Sequence, residues 1–416
     1  MISKILILCI FLFFLIIQAT VIKSWGTPSD WYFLWSCVLI LGAVFFAYRD
    51  YEWSLFGLFW WLLSCVVFQI GGRIGLKRPI KLTKKTRLLQ VPNISINWIL
   101  MAYFVLGLLY SVILLNTHGF SIAGIFNIAE LYKINNFMQG YRYSNLDENE
   151  GVIQQICLAF TYGLPPCAGF LLPEKKDMKS KLLCIGSLAP NVLITIINNA
   201  KAGVIIAVIL FMAGFMLRYI EINGRAPRIK GAMIRYIFLG GSVFIVFMFF
   251  AIRLRYNSDV VRASSHNVLG YLKAYIFGCT VNFDYYFFDK IRDWSIRGTF
   301  LPDSNILTAN MFWIHSYGYL GTIILWFFGG VISGSAYSRL AKGKSSVLDK
   351  VILVYMYVNA IYFFTYMAFS YTTVIIGVFV LFPFFLLFFY KQKELGVSTY
   401  CVEGCTGLDN ALLRRN

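Results

Sequence analysis

Eleven apolar runs dominate the chain, at residues 5–22, 31–48, 53–70, 96–115, 152–172, 182–197, 203–217, 236–252, 320–335, 351–369 and 372–390. Each is about long enough to cross a bilayer as a helix. No Asp, Glu, Lys, Arg or His falls in the middle of any of them, and the polar positions gather between runs. The pattern predicts an all-α polytopic membrane protein of about 11 transmembrane helices, bundled as a single domain over residues 1–416. Pro165, Pro166 and Pro190 interrupt two runs. A proline removes a backbone donor and crowds the preceding turn, so kinks are expected there.

Threading the runs alternately across a membrane sorts their flanks into two sets. One set holds 25 of the 37 Lys and Arg residues and the other holds 12. Cytoplasmic loops carry the cationic excess, so the first set is read as cytoplasmic. The amino terminus then faces out, and the tail 391–416 faces in. Two long segments, 116–151 and 253–319, fall on the outer side, while the other outer connections are a few residues long. Long connections on a compact bundle are where recognition or chemistry is expected.

The stretch 268–290 complicates this count. It is apolar and rich in aromatic residues, yet it contains Lys273 and Asp284. Read as a twelfth span it would invert every later loop, so it is expected to be an interfacial or re-entrant helix on the outer surface. The two outer loops thus contain interfacial helices in this reading.

Composition agrees with a membrane protein. The 416 residues are 59% hydrophobic and only 13% charged, which excludes an ordinary soluble domain. The net charge of +18 at pH 7 invites a nucleic-acid reading. Its position at the ends of apolar runs is explained by topology and by membrane lipids, and no nucleic-acid partner is implied. Residues 1–22 lack a convincing small-x-small cleavage site, so a retained first helix is expected. The nine cysteines form no external disulfide framework, and Cys401 and Cys405 make a lone Cys-x3-Cys without a nearby His. Structural zinc needs four ligands, so no metal motif is read.

Candidate chemistry therefore lies at the outer boundary. His118, His266 and His315 all fall in the two outer segments, and imidazole is the side chain best poised for proton transfer near neutral pH. Asp284 and Glu130 are outer carboxylates in apolar sequence, a setting that can raise a carboxyl pKa toward acid–base work. Asp284 reads equally as a satisfied polar position on an amphipathic helix. Arg253 and Arg255 follow the run 236–252 directly, with Arg262 seven residues on. They read either as interfacial anchors or as a two-pronged grip on a lipid phosphate. The same two readings apply to Lys201, in the turn Asn198-Asn-Ala-Lys-Ala-Gly203, and less strongly to Arg142, in Gln139-Gly-Tyr-Arg-Tyr-Ser144.

Three stretches carry a family resemblance: Asn198-Asn-Ala-Lys-Ala-Gly203; Ala251-Ile-Arg-Leu-Arg255 with the aromatic segment 275–288; and Asn305-Ile-Leu-Thr308 followed by Tyr317-Gly-Tyr-Leu-Gly321 and Gly329-Gly330. Over about residues 96–340 the chain resembles the Wzy-type polymerases of bacterial O-antigen and capsule repeat units. Lysine stands at 201 where that family more often has arginine. The Arg-x10-Gly pattern of some members does not start from Arg142, Arg253, Arg255 or Arg262.

The resemblance implies a multi-pass enzyme of the bacterial inner (cytoplasmic) membrane. It would join undecaprenyl-diphosphate-linked oligosaccharides at the periplasmic face, moving the growing chain from its lipid diphosphate onto the non-reducing sugar of a new unit. Arg253, Arg255, Arg262, Lys201 and Arg142 would face the diphosphate, and His315, Asp284 or His266 would take the acceptor proton. It implies no cofactor and metal-independent transfer, with a chain-length regulator and a flippase of the same pathway as partners. An O-antigen ligase, which transfers to lipid A core, is the nearest rival. Ser265-His-Asn267 resembles its His-Asn element but lies about fifty residues before the Gly-x-x-Gly helix. A lipid-linked sugar flippase or secondary transporter is the rival of another class. It would require ionisable residues inside the spans, which the runs lack.

Overall fold

The computed structural model describes residues 2–17, 26–53, 55–80, 96–144, 151–198, 201–227, 246, 267–289, 308–364 and 372–394. Its regular elements are all helical: α1 (Ile2–Ile17), α2 (Pro28–Gly42, continued by a π-helical turn Ala43–Ala47), α3 (Leu55–Lys77), α4 (Ile96–Thr117) and α5 (Ile128–Ser144). There follow α6 (Val152–Leu171), α7 (Met178–Gly186), α8 (Ala189–Asn198), α9 (Lys201–Asn223) and α10 (Asn267–Asp289). The last four are α11 (Ala309–Ala341), α12 (Val347–Tyr362), α13 (Thr372–Ile376) and α14 (Val378–Glu394).

Among the described residues, seven helical stretches are long and apolar enough to cross a membrane: Pro28–Ala47, Phe56–Lys77, Ile96–Thr117, Val152–Glu174, Met178–Asn198, Ala202–Asn223 and Ala309–Ala341. Lys4–Ile16 and Val374–Phe388 are shorter apolar helices. This is a helical membrane protein. Of the other expected spans, 351–369 meets a helix that ends at Tyr362, and 236–252 lies outside the described residues.

Local chemistry starts these helices where it does. Thr27 and Asp30 form a reciprocal capping box at α2, with Pro28 in the first turn, and Ser346 and Asp349 do the same at α12. Asp177 caps α7, and the Ser180 backbone N–H donated to its carboxylate at 2.7 Å holds its pKa below the ordinary value. Proline acts where expected, with an added compensation. Pro165 lies inside α6 and cannot donate to the Thr161 carbonyl one turn earlier. Asn191 Nδ2 donates to that carbonyl instead, at 2.8 Å. Within a bilayer a freed carbonyl needs such a partner.

Three apolar clusters hold the bundle together. The largest joins α6, α9, α12 and α14 around Phe170, Leu217, Tyr357 and Phe384. A second joins α2, α3, α10 and α11 around Tyr32, Trp61, Phe68 and Trp326. A third packs α5 and α8 on α4 and α6. Helix α12 belongs to both larger clusters, through Tyr357 in one and Phe363 beside it in the other.

The closest packing is between α3 and α11. A Cβ added at Gly71 or Gly75 would strike the carbonyls of Phe327 or Val331, and one at Gly330 or Gly334 would strike those of Phe68 or Gly72. These are two interlocked small-xxx-small faces, the means by which helices approach closely in lipid. The contacts rise in step, from Gly71 with Phe327 to Leu76, whose carbonyl accepts from Ser338 Oγ at 3.1 Å, so the two helices run in the same direction.

One end of the bundle is knitted by ions. Arg73 pairs with Asp30 at 2.7 Å, Arg339 with Asp349, and Arg218 with both Glu174 and Glu221. Lys350 completes the set, 2.7 Å from Glu221 and only 1% exposed. Both cations of that group lie against aromatic faces, Arg218 over Phe170 and Phe388, and Lys350 over Phe170. At the other end Lys4 donates to the carbonyl of Arg49, beside the α2–α3 connection. The amino-terminal helix thus begins at the end opposite the ion pairs, and α14 brings Phe388 to the ion-paired end.

Candidate functional site

The end remote from the ion pairs is built by α10 and by the start of α11. Helix α10 meets α2 and its π-helical extension through Phe277 beside Gly42 and Lys273 over the Tyr48 ring at 4.5 Å. It meets α3 through Phe283, whose ring lies 5.1 Å from Trp61, and through Asp284 beside Gly57. A Cβ at Gly57 would come within 3.2 Å of Asp284 Oδ1.

These partners all lie near the α2–α3 connection, so α10 crosses the far end of the bundle instead of running alongside α3. It is sunk into the end of the bundle, which fits the re-entrant side of the expectation for 268–290 and not a helix laid on the surface. Residues 278–284 are wholly buried. The cause is local: glycines 42 and 57 leave room for the helix to sink between its neighbours. Thr280, Asn282 and Asp284 are carried into the interior with it, each at most 1% exposed.

Helix α11 holds a departure from expectation. The segment 253–319 was read as one outer loop, yet Thr308, Ala309 and Asn310 are fully buried. Thr308 caps the helix through Met311 N, and Ala309 N donates to the Phe363 carbonyl at 2.7 Å. Gly318 then adopts φ 71° and ψ 176°, a conformation essentially restricted to glycine.

The chain folds back on itself at Gly318. Trp326 Nε1 donates to Asn310 Oδ1 at 2.9 Å, and the Trp313 and Trp326 rings lie 4.7 Å apart. Sixteen residues of straight helix would separate 310 from 326 by about 24 Å. Residues 309–317 are therefore a short limb that rises from the bundle interior to the Gly318 turn, and 319–341 form the long limb. At the foot of the short limb, Tyr32 O–H is 3.1 Å from Ser64 Oγ and accepts from Asn310 Nδ2 at 3.0 Å.

His315 lies on the short limb one turn below Gly318 and is exposed. Asp284, on α10, is 1% exposed. An aromatic relay links their two elements: Trp60 is 6.1 Å from both Phe287 and Tyr319, and Phe287 and Tyr319 are 5.1 Å apart. Tyr285 and Tyr317, on the same two elements, are 40% and 62% exposed. The arrangement puts an exposed imidazole and an enclosed carboxyl on two elements joined by ring contacts. Such rings suit the C–H faces of a sugar, and the imidazole suits proton transfer.

The other candidates distribute differently. Arg253, Arg255, Arg262 and His266 lie outside the described residues. Lys201 is the first residue of α9, and Arg142 lies near the end of α5. Glu130 is not in an apolar setting: it is exposed in the first turn of α5. His118 packs edge-on against Tyr141 at 4.3 Å, with Phe137 at 5.5 Å.

Two polar groupings escaped the sequence reading. The Glu174–Arg218–Glu221–Lys350 group sits just beyond the run boundaries, where it read as ordinary flanking charge; the i,i+3 pair Arg218 and Glu221 was its one local signal. The Tyr32–Ser64–Asn310–Trp326 network joins residues from three helices and leaves no local pattern.

No family profile, curated protein or solved structure matches the chain.

Proposed function

We propose that this protein is a membrane-embedded glycosyltransferase that polymerises undecaprenyl-diphosphate-linked oligosaccharide repeat units, at the bundle end formed by α10 and the short limb of α11. The reading rests on the resemblance to Wzy-type polymerases. The observation that carries it is that His315, on the short limb, and Asp284, on α10, belong to two elements joined by the Trp60, Phe287 and Tyr319 ring contacts at the end opposite the ion pairs. In this reaction the acceptor hydroxyl oxygen bonds to the anomeric carbon of the donor chain. The bond from that carbon to the lipid diphosphate breaks, and the diphosphate leaves with the electron pair. Anchoring both reactants in one membrane plane reduces the cost of bringing them together. Cations near the leaving group would stabilise its growing charge, the role proposed for Arg253, Arg255, Arg262, Lys201 and Arg142.

His315 is the better base of the two described candidates. A base must come within hydrogen-bond reach of the hydroxyl it deprotonates, and His315 is exposed where Asp284 is enclosed. Asp284 is then a positioning group on α10, and His266 stands as a further candidate.

The decisive assay incubates purified protein with a lipid-diphosphate repeat unit. A ladder of products supports polymerisation, and transfer only to a lipid A core acceptor would make the protein a ligase. Movement of the lipid-linked unit across a bilayer with neither product would make it a carrier. Within a confirmed polymerase, His315→Ala is expected to lose ladder formation while retaining donor binding. Wild-type ladders from that variant across the pH range would remove His315 from the reaction.

A further inference from the structure

The segment 116–144, expected to contain an interfacial helix, is helical over most of its length. It folds as a turn at His118 and Gly119, a 3-10 turn (Ile122–Phe126) and helix α5. One face of α5 packs inward: Leu131, Ile134, Asn135 and Met138 are buried, and Asn135 Nδ2 donates to the Ile196 carbonyl of α8 at 2.8 Å. The opposite face carries Ala129, Lys133, Asn136 and Gly140, all exposed, with Phe137 at its margin 45% exposed beside His118. Helix α5 thus lies on the bundle with a weakly polar outer face.

The apolar exposure is concentrated at its beginning. Phe126 is 89% exposed, Ile128 72% and Ile122 43%. Ser121 and Asn127 cap the two short elements that present these residues, accepting from Ala123 N and Ala129 N at 3.0 Å each, so the tip has a defined shape. The apolar surface also continues beyond it. Val152 and Ile153, at the start of α6, are 73% and 71% exposed, and Val105 and Leu109 on α4 are 49% and 40% exposed. Helices α4 and α6 are long and apolar enough to span the membrane, and such residues on a span meet lipid.

We infer that the junction between the 3-10 turn and α5, residues 122–128, is a membrane-inserted tip whose partner is the lipid bilayer. Ile122, Phe126 and Ile128 enter the interfacial layer on the same side as the candidate site, while Lys133 and Asn136 remain in water. The geometry matches other interfacial elements, which bury one apolar surface and keep a polar one wet. This inference stands apart from the proposed reaction. It concerns where the segment sits, whichever chemistry the protein performs.

The test places a nitroxide on a single cysteine at Phe126→Cys, and separately at Lys133→Cys, in an otherwise cysteine-free chain reconstituted into phospholipid nanodiscs. Collisional relaxation is then read with molecular oxygen, which concentrates in lipid, and with a water-soluble nickel chelate. Position 126 is expected to be reached by oxygen and severalfold less by nickel, with the reverse at 133. Nickel access at 126 equal to that at 133 would overturn the proposal, because the tip would then be in water. Shielding of 126 from both reagents would also overturn it, because protein would then be covering the tip. If the cysteine-free chain fails to assemble, hydroxyl-radical footprinting of the unmodified protein in nanodiscs gives the second measurement. Phe126 is expected to resist oxidation despite its exposure, and heavy oxidation there would refute insertion.

Discussion

Lys350 and Glu221 show how much depends on single buried charges here. They are 1% and 7% exposed at the side chain, and each is the other's ion partner at 2.7 Å. Arg218 shares Glu221 and also holds Glu174, so two cations and two carboxylates balance in one enclosed group. Removing Lys350 leaves Arg218 to balance both Glu221 and Glu174, an excess of buried negative charge, and a fully stranded buried charge typically costs about 3–5 kcal/mol. Replacing both members of a buried ion pair with well-packed apolar residues is often neutral. Lys350→Ala is therefore expected to destabilise the purified protein strongly in thermal unfolding. Lys350→Met combined with Glu221→Leu is expected to recover most of the loss, although Arg218 then keeps only Glu174. Equal damage from the single and double variants would show that the charges do more than balance each other.

At the scale of an element, the short limb of α11 depends on Gly318. At φ 71° and ψ 176° a side chain is strained whatever the space around it, and nothing lies within 4 Å of the Cβ position. Gly318→Ala is thus a test of backbone strain without a steric clash. Such strain is of order 1–3 kcal/mol, so a measurable fall in unfolding temperature is expected. Gly321→Ala tests the opposite case, a normal backbone with a Cβ that would lie 2.9 Å from Tyr317 Cβ. No change for Gly318→Ala would mean that the turn relaxes readily. This element also marks the limit of what was legible. The apolar runs fall on helices wherever the structure describes them, and seven of those helices are long and apolar enough to span, because a span is written in consecutive apolar residues. The fold-back was not written there: 309–317 holds Asn310, His315 and Ser316 and read as part of the outer loop, and the Gly318 turn and the buried Asn310–Trp326 contact are what make it one limb of a hairpin. The depth of α10 was not legible either, for the related reason that its burial is decided by Gly42 and Gly57, more than two hundred residues away in sequence. The interruption of 182–197 was legible from Pro190, and the helix breaks just ahead of it at Ser187-Leu188; the break of 372–390 at Gly377 was not legible.

For the whole molecule, helix direction and charge agree on one arrangement. Helices α3 and α11 run the same way, and α6 and α9 do too, since Gly169 meets Phe211 and Glu174 pairs with Arg218. The chain leaves α9 at the ion-paired end and reappears in α10 at the other, as it must if α11 is to run back toward Arg339 and Asp349. The flanks at the ion-paired end are those that hold 25 of the 37 cations. The positive-inside bias would make that end cytoplasmic and turn the amino terminus, the proposed inserted tip and the candidate site outward. The orientation can be read directly in intact cells with a membrane-impermeant thiol reagent and single cysteines in a cysteine-free background. Asn116→Cys, exposed beside the His118 turn, is expected to react at once. Lys344→Cys, exposed in the turn between α11 and α12, is expected to react only after the membrane is permeabilised. The reverse pattern would invert the protein and put His315 and the rest of the candidate site in the cytoplasm. A polymerase acting on exported lipid-linked sugars could not work from there, so that one outcome would end the proposed function along with the topology.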